Sequence, residues 1–269
     1  KLISPWNLEN SIELNVETPF GEVPITVFTL SFNDIKCKVF FLQRHHNNSG
    51  GIKSPHHINH LANIFAMDSC QVDFTISVCS VGAINKKFSP GMVGIATQYI
   101  DFSGIPLSYN DEDAEFTSMT SPFDQELNKK LLLTLRKSQP HLSELEDDDF
   151  LLTYWYSTGP QFETVAEISA ISKLGGDCVG MTLAPEAKLM AEKGNRFSAI
   201  LIAGNHAAGL DPLNPNAVLD HNKISSKATS RSDPVWNSLK VVMYASLPSC
   251  TTNASRFPCS PVSVLCRER

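Results

Sequence analysis

Gly159-Pro160-Gln161-Phe162-Glu163-Thr164 lies between a predicted strand and a predicted helix, and this junction indicates the fold class. Before it, Phe150 to Tyr156 is an apolar and aromatic run typical of a strand. Phe162 to Leu174 then has a helical pattern, which Gly175-Gly176 ends. The hexapeptide thus opens a helix at the carboxyl end of a strand, the edge at which α/β proteins place ligands. Taken alone, such a segment is more often a plain turn between a strand and a helix.

The same alternation continues toward the carboxyl terminus. The pattern predicts a short strand at Cys178 to Met181, a helix at Pro185 to Lys193 and an apolar strand at Phe197 to Ala203. Leu210 to Pro215 is turn-like, and a helix is expected to resume at Ala217. Strands that alternate with helices predict a mostly parallel sheet with helices on its faces.

The amino-terminal half adds further strands and two helices. Asn33-Asp34 predicts the turn of a hairpin between two strands rich in β-branched and aromatic residues. Ser121 and Pro122 are expected to cap and begin the second helix. The predicted segments are strands at Val23 to Leu30, Lys36 to Leu42, Val72 to Val78 and Val93 to Ile100, a loop at Gln43 to Pro55, a small-residue turn at Cys79 to Gly82, and helices at His57 to Met67 and Ser121 to Arg136.

The length of 269 residues fits one α/β domain built around a single large sheet. We expect an α/β fold over residues 1–247, with a mixed, mostly parallel, twisted central sheet flanked by helices. Residues 248–269 are rich in Ser, Thr, Pro and Cys and show no periodicity, so we expect an irregular, poorly ordered tail.

Charge and cysteine content narrow the classes of protein. The net charge of -6 and the pI near 5.7 argue against a nucleic-acid-binding surface. No apolar run approaches the roughly 20 residues that a membrane-spanning helix needs, and the first residues lack the apolar core of a signal peptide. Seven cysteines, an odd number, are expected to be mostly reduced thiols, which favours a cytoplasmic protein.

Three motifs, in order, carry a resemblance to a known family. Gly159 through Glu167 resembles the segment Gly-Pro-x-Phe-Glu-Thr-x-Ala-Glu of the purine nucleoside and methylthioadenosine (methylthioinosine) phosphorylases, and Val179-Gly180-Met181-Thr182 follows at the family's distance. Gly204-Asn205-His206-Ala207-Ala208-Gly209 resembles the Asn-x-Ala-Ala-Gly turn of the oxopurine-specific branch. The resemblance runs from about Val16 to Leu219 and implies the nucleoside phosphorylase fold. It also implies a homotrimer or a dimer of trimers, in which a neighbouring subunit reaches the pocket.

The resemblance assigns a nucleoside-binding half of the site. Phe162 would stack on the base, and Glu163 would accept from ring nitrogens of a 6-oxopurine, whose N1–H and 2-amino group are donors, whereas N1 of adenine is an acceptor. Asn205 would donate to N7 of the leaving base, in a turn that also contributes Ala207. Glu163 and Asn205 are therefore the predicted catalytic residues. Asn205 is alternatively a residue that merely caps a turn.

A phosphate-binding half is implied in the same way. Arg44 and His45 resemble the family's Arg-His loop, and because the loop is longer here, His46 is the alternative to His45. Thr182 corresponds to a hydroxyl that binds phosphate, and Met181, as a nucleoside-binding residue, would line the ribose. The fork of an Arg side chain suits a tetrahedral oxyanion. Cys79 and Ser80 stand where the family has a Thr-Ala or Asn-Ala pair that touches phosphate and sugar.

Five histidines between positions 45 and 60 raise the alternative of a metal site. The adjacent pairs His45-His46 and His56-His57 have neither the i, i+4 spacing of helical ligands nor an acidic partner, so we expect no metal.

Three departures from the family pattern affect the predicted phosphate and ribose contacts. Cys79 supplies a thiol, a much weaker hydrogen-bond partner than a hydroxyl or an amide. Glu17-Thr18-Pro19-Phe20-Gly21 matches the family's Asp-Thr-Pro-Phe-Gly, so its first strand and Gly-rich phosphate loop would lie before Lys1. Pro215 replaces the His that meets the ribose 5'-hydroxyl.

The first hypothesis is an enzyme that cleaves 6-oxopurine nucleosides (inosine, guanosine or 5'-methylthioinosine) with phosphate, giving free base and pentose 1-phosphate. It would need no cofactor besides phosphate as co-substrate, and its role would lie in purine salvage. The alternative is a catalytically impaired relative, retained for binding or a structural role. A nucleosidase that uses water is disfavoured by Arg44.

Overall fold

The computed structural model describes residues 11–32, 35–47, 50–110, 114–220 and 262–266, together with Val235 and Leu239. Within this part of the chain, an amino-terminal meander of three strands is followed by alternating helices and strands, except that the fourth and fifth strands have no helix between them. The strands are β1 (Ile12–Thr18), β2 (Gly21–Phe32), β3 (Ile35–Gln43), β4 (Phe74–Ala83), β5 (Val93–Ile100), β6 (Leu151–Tyr156), β7 (Cys178–Gly180), β8 (Phe197–His206) and β9 (Val262–Cys266). The helices are α1 (His60–Ser69), α2 (Gln125–Ser138), α3 (Val165–Lys173) and α4 (Leu183–Glu192).

The strands form one mixed sheet in the order β1-β2-β3-β9-β4-β7-β6-β5-β8, and β4 also pairs with β8. The five strands from β4 to β8 therefore close into a ring. Strands β3, β9, β4 and β8 run parallel to one another, as do β5, β6 and β7. The two groups meet antiparallel where β4 pairs with β7 and where β5 pairs with β8. The predicted mixed α/β fold is confirmed.

Buried side chains alternate between the two faces of this sheet. In β8, Ala199 and Leu201 point to a core that contains residues of α1 and α4, whereas Ile200 and Ile202 point to a core that contains residues of α2. Side chains that alternate faces and are apolar on both require cover on both faces. The helices supply that cover, as the near-continuous apolar pattern of this strand predicts.

Most predicted elements are present with shifted ends. The hairpin of β2 and β3 and the strand β5 are confirmed. The helix expected from Ser121 begins instead at Gln125, because the Asp124 side chain accepts a 2.8 Å hydrogen bond from Leu127 N and is the true cap. The helix expected from His57 is divided into a 3₁₀ turn, Pro55–His57, and α1, which Asn59 caps.

Two predictions of irregular structure are wrong. Cys79 to Gly82 is not a turn, since β4 continues through it to Ala83 with a bulge after Val81. The tail is not irregular at Val262–Cys266, which forms β9 and pairs in parallel with both β3 and β4. In each case pairing with strands distant in sequence decides the conformation. Residues 248–261 and 267–269 of the tail lie outside the described residues.

Two further observations concern the helices. Ala217 to Asp220 is not helical, so the helix expected there does not start at Ala217. Within the described ranges, no helix combines the length and the apolar character that crossing a membrane requires.

Candidate active site

Arg44 directly follows β3 and is buried, with 2% of its surface exposed. Its Nε lies 2.7 Å from Glu186 Oε1, and its Nη2 donates a 2.6 Å hydrogen bond to Ser77 Oγ. Its Nη1 donates to Val78 O at 3.0 Å and contacts Cys79 Sγ at 3.7 Å. The guanidinium is therefore held in one orientation against β4.

Cys79 brings Arg44 and Thr182 to one place. Its Sγ lies 3.7 Å from Thr182 Oγ1 and 3.4 Å from Ser77 Oγ. Burial raises the pKa of the Cys79 thiol, and the nearby Arg44 charge only partly opposes this shift, so the group stays a neutral thiol. The structure thus brings together Arg44 and Thr182, which were predicted to bind phosphate, and Cys79, which was predicted to bind the nucleoside.

Ser80 does not join this group through its side chain. Successive residues of a strand point to opposite faces, and Ser77 and Cys79 share the face that meets Arg44. Ser80 lies between Cys79 and Val81 and points to the opposite face from them, and it is exposed. Any contribution of Ser80 to a phosphate site would come from its backbone.

Thr182 lies at the amino end of α4, where backbone N–H groups attract anions. Its side chain makes no capping hydrogen bond. The Tyr154 hydroxyl takes that role, accepting from Thr182 N at 3.1 Å and from Leu183 N at 3.4 Å. Tyr154 is fully buried and was not predicted as a site residue; its place in a strand gave no signal of this role.

The loop after Arg44 is held by buried side chains. His45 Nδ1 lies 2.8 Å from Lys53 O, and His46 Nε2 lies 2.9 Å from Asn63 Oδ1. Asn63 Nδ2 donates to Arg44 O at 3.0 Å, so Asn63 clamps the loop to α1. Asn63 was not predicted as a site residue.

Glu163 is the central group of the predicted base half. It lies just before α3, whose cap is Thr164 with Glu167 in a capping box. The Glu163 Oε1 atom is buried and has no hydrogen-bond partner among the described residues. Burial raises the pKa of Glu163, the Glu167 charge adds to the shift, and its own backbone N–H and Ser157 oppose it. A buried acceptor without a donor is costly, so this oxygen is suited to a ligand N–H.

Two close backbone contacts join the base half to the rest of the site. Gly159 has φ +67°, and a Cβ there would lie 2.6 Å from Met181 Sδ, so Met181 packs directly on the Gly159 backbone. A Cβ at Gly209 would lie 2.8 Å from Val165 Cγ1. The turn that carries Asn205 therefore lies against the segment that carries Glu163.

The remaining predicted residues occupy the rim of this region. Asn205 ends β8, and its Nδ2 donates to His206 O at 2.6 Å. Ala207 is buried, and its N donates to Ala83 O at 2.9 Å, which anchors the turn on β4. Phe162, the predicted base-stacking residue, is 37% exposed. Pro215 is exposed beyond that turn.

Comparison with known proteins identifies the family. The model of the Phosphorylase superfamily matches residues 2–232. The 6-oxopurine nucleoside phosphorylase of Pyrococcus furiosus is 36% identical over 212 residues, which cover 75% of each chain. A protein of Methanopyrus kandleri described as a probable S-methyl-5'-thioinosine phosphorylase is 33% identical over 198 residues, 73% of each chain. The chain belongs to the phosphorylase superfamily.

Solved structures show the same fold. Methylthioadenosine phosphorylase from Schistosoma mansoni in complex with adenine superposes with a TM-score of 0.73 at 20% identity, covering 88% of this chain and 85% of that one. A methylthioadenosine phosphorylase from an antarctic soil metagenomic library gives a TM-score of 0.71 at 22% identity, covering 90% and 82%. The fold of the superfamily is therefore present in the described part of this chain.

Outside this site, the described residues form no metal-binding cluster, and a cavity there contains none of the predicted site residues. Across the described ranges, no group of three or more His, Cys, Asp or Glu side chains is arranged to hold a metal ion. A cavity of about 330 Å³ between α2 and β5 contains none of the predicted site residues. Its buried amide, Asn128, already donates to Ala96 O, so we place no chemistry there.

His60 is a buried base beside the Arg44 loop. Burial, followed by the charges of Arg44 and His45, lowers the pKa of His60 from 6.5 to about 3. Its Nδ1 has no hydrogen-bond partner among the described residues. The folded protein therefore favours neutral His60, a contribution to stability that is present above pH 6.5 and lost as the pH falls toward 3.

We expect the His60→Leu variant to resist mild acid better than the wild type. Below pH 6.5 the wild type should lose up to about 1.4 kcal/mol of unfolding free energy per pH unit through this one group. Urea unfolding at pH 7.5, 6.5 and 5.5 measures the slope, which should be shallower in the variant. The exposed residue His57 provides the control, because His57→Leu leaves His60 in place and should keep the wild-type slope. Equal slopes for His60→Leu and the wild type would contradict the assignment.

Proposed function

We propose that this chain catalyses phosphorolysis of 6-oxopurine nucleosides and is a purine nucleoside phosphorylase, a pentosyltransferase. The observation that carries the proposal is the buried Oε1 of Glu163, which has no hydrogen-bond partner in the described part of the chain and lies in the segment next to the turn that bears Asn205. The names of the two relatives, a 6-oxopurine nucleoside phosphorylase and a probable S-methyl-5'-thioinosine phosphorylase, support the same substrate class.

Glu163 selects the base through its charge. As a carboxylate it accepts from N1–H and from a 2-amino group, whereas N1 of adenine presents a lone pair that the carboxylate repels. Phe162 covers the base, and Asn205 turns its amide from His206 O toward N7 as the base leaves. Donation that strengthens as negative charge builds on the base lowers the barrier rather than only improving binding.

The phosphate half of the site positions inorganic phosphate, which is the nucleophile. Arg44, His45, Thr182 and the backbone at Ser80 hold inorganic phosphate below the anomeric carbon, with Met181 and Cys79 against the sugar. A phosphate oxygen bonds to C1' while the C1'–N9 bond breaks and its electron pair passes to the base, which takes a proton. The sugar passes through an oxocarbenium-like state between the two, so catalysis rests on positioning and electrostatics. No cofactor is required.

The alternative of a catalytically impaired relative gains no support from the comparisons, because the relatives are described as phosphorylases. A water-using nucleosidase would need no cation placed as Arg44 is placed, between Thr182 and the core. Phosphorolysis for purine salvage is therefore the function that we propose. The cysteines with described side chains, Cys37, Cys70, Cys79 and Cys178, are reduced rather than joined in disulfides, which favours a cytoplasmic location.

The proposal includes a homotrimer, either alone or paired as a dimer of trimers. The connection between β5 and α2 exposes Phe102, Ile105 and Phe116, at 73%, 52% and 95% of their surfaces. Several large apolar side chains exposed in one connection indicate a surface that another subunit covers. Sedimentation equilibrium should give the mass of a trimer or of two trimers of the 29.6 kDa chain. A monomer would contradict the assembly.

We expect Glu163→Gln to reduce kcat/KM for inosine by about 100-fold or more, because the amide N–H of Gln faces the N1–H donor of the base. Hypoxanthine release, followed with and without inorganic phosphate, measures both the rate and its dependence on phosphate. Glu167→Gln is the matched control, since Gln also serves in a capping box. Release without phosphate, or no release by the wild type, would refute phosphorolysis.

We expect Cys79→Ser to lower the KM for phosphate about five-fold, or ~1 kcal/mol, the net worth of one ordinary hydrogen bond. The hydroxyl would replace a thiol that lies 3.7 Å from both Arg44 Nη1 and Thr182 Oγ1. Cys37→Ser makes the same exchange in the core, away from the site, and should leave this KM unchanged. An unchanged or higher KM for Cys79→Ser would show that Cys79 does not limit phosphate binding.

A further inference from the structure

Glu186 is a buried carboxylate that the reaction outlined above does not use. Only 1% of its surface is exposed, and both of its oxygens are engaged. Oε1 lies 2.7 Å from Arg44 Nε, and Oε2 accepts a 2.7 Å hydrogen bond from Ser77 Oγ. A buried charge is costly unless an opposite charge lies beside it. Arg44 supplies the positive charge that pairs with Glu186.

Three side chains form a closed ring of two hydrogen bonds and one ion pair. Arg44 Nη2 donates to Ser77 Oγ at 2.6 Å, Ser77 donates to Glu186, and Glu186 meets Arg44 Nε. Two edges of the planar guanidinium are thereby fixed. The third, at Nη1, faces Val78 O and the Cys79 thiol, and the thiol is the weakest acceptor among these contacts.

Helix α4 and the residue just before it, Thr182, set the geometry around Arg44. Thr182 immediately precedes α4, and Glu186 lies in its first turn. Residues four apart lie on one side of a helix, one turn from each other. The same short segment thus places Glu186 behind Arg44 and Thr182 near the Nη1 edge, with Cys79 Sγ between them.

The geometry points to Glu186, assisted by Ser77, as a positioning residue for phosphate: it aims the Nη1 edge of Arg44 at the anion held beside Thr182. This inference rests on the proposed function, because it takes Arg44 as a ligand of phosphate. Glu186 itself touches neither substrate. A carboxylate is required here, since its two oxygens must accept from Arg44 and from Ser77 at once, which an amide does with only one atom.

Glu186→Gln in the full chain should raise the KM for phosphate at least tenfold, while kcat and the KM for inosine change less than threefold. A merely structural role would lower the fraction of active protein and hence kcat, with the KM for phosphate unchanged, and that result would overturn the inference. If Glu186→Gln fails to fold, Ser77→Ala keeps both charges and should raise the KM for phosphate about threefold. An unchanged KM in Ser77→Ala would count against the ring.

A double-mutant cycle tests whether Glu186 acts through Arg44. Arg44→Lys keeps the charge but lacks the planar fork that Glu186 orients. In the Arg44→Lys background, Glu186→Gln should change the KM for phosphate less than twofold, whereas independent roles would give the full tenfold effect again. Lys188→Gln is the matched control, because it removes another ion pair of α4, the 2.5 Å contact with Asp101, and should leave the KM for phosphate unchanged.

Calorimetric titration of the full chain with inorganic phosphate separates this inference from the proposed function. Phosphate binding by the wild type, weakened at least tenfold in Glu186→Gln, supports the inference even if no nucleoside is cleaved. Turnover by the wild type with equal phosphate affinity in both proteins overturns the inference alone. No phosphate binding by the wild type overturns both.

Discussion

The pairing of β4 with three other strands is the constraint on which the rest of this structure depends. A strand buried on both faces must find partners for all its backbone groups, because an unpaired N–H or C=O in the core is costly. β4 finds them in β9, in β8 and, beyond its bulge, in β7. This pairing closes the ring of strands and leads the chain through Ser77 and Cys79 at the centre of the molecule.

Polar chemistry at the centre follows from that path. Ser77 and Cys79 share one face of β4, and Glu186 and Thr182 meet the same face, so Arg44 enters a region lined with polar side chains. The cost of burying Arg44 and Glu186 is offset by their 2.7 Å contact and by Ser77. Removing one member alone would strand the other charge, a loss of about 3–5 kcal/mol in proteins with buried ion pairs.

The two halves of the site meet through small residues and one flexible side chain. Met181 packs on the backbone of Gly159, and Thr182 is the next residue. A shift of the Gly159 segment would therefore displace Met181, which adjoins Thr182. Gly209 similarly allows the Asn205 turn to approach Val165. Neither approach leaves room for a Cβ, which is the physical reason that glycine stands at both places.

The sequence by itself determined the fold class, the strand-to-helix junction at Gly159 and the family, because these depend on local periodicity and on short motifs that survive as strings of residues. Glu163 could be chosen in the same way, since a charged residue that opens a helix beside Phe162 is visible in the string. Tertiary structure alone decided that Cys79 to Gly82 is a strand, that β9 forms in the tail, and that Asp124 caps α2. It alone also brought Glu186, Ser77 and Tyr154 to the site, residues far apart in the chain whose roles arise only from the distances between side chains on different elements.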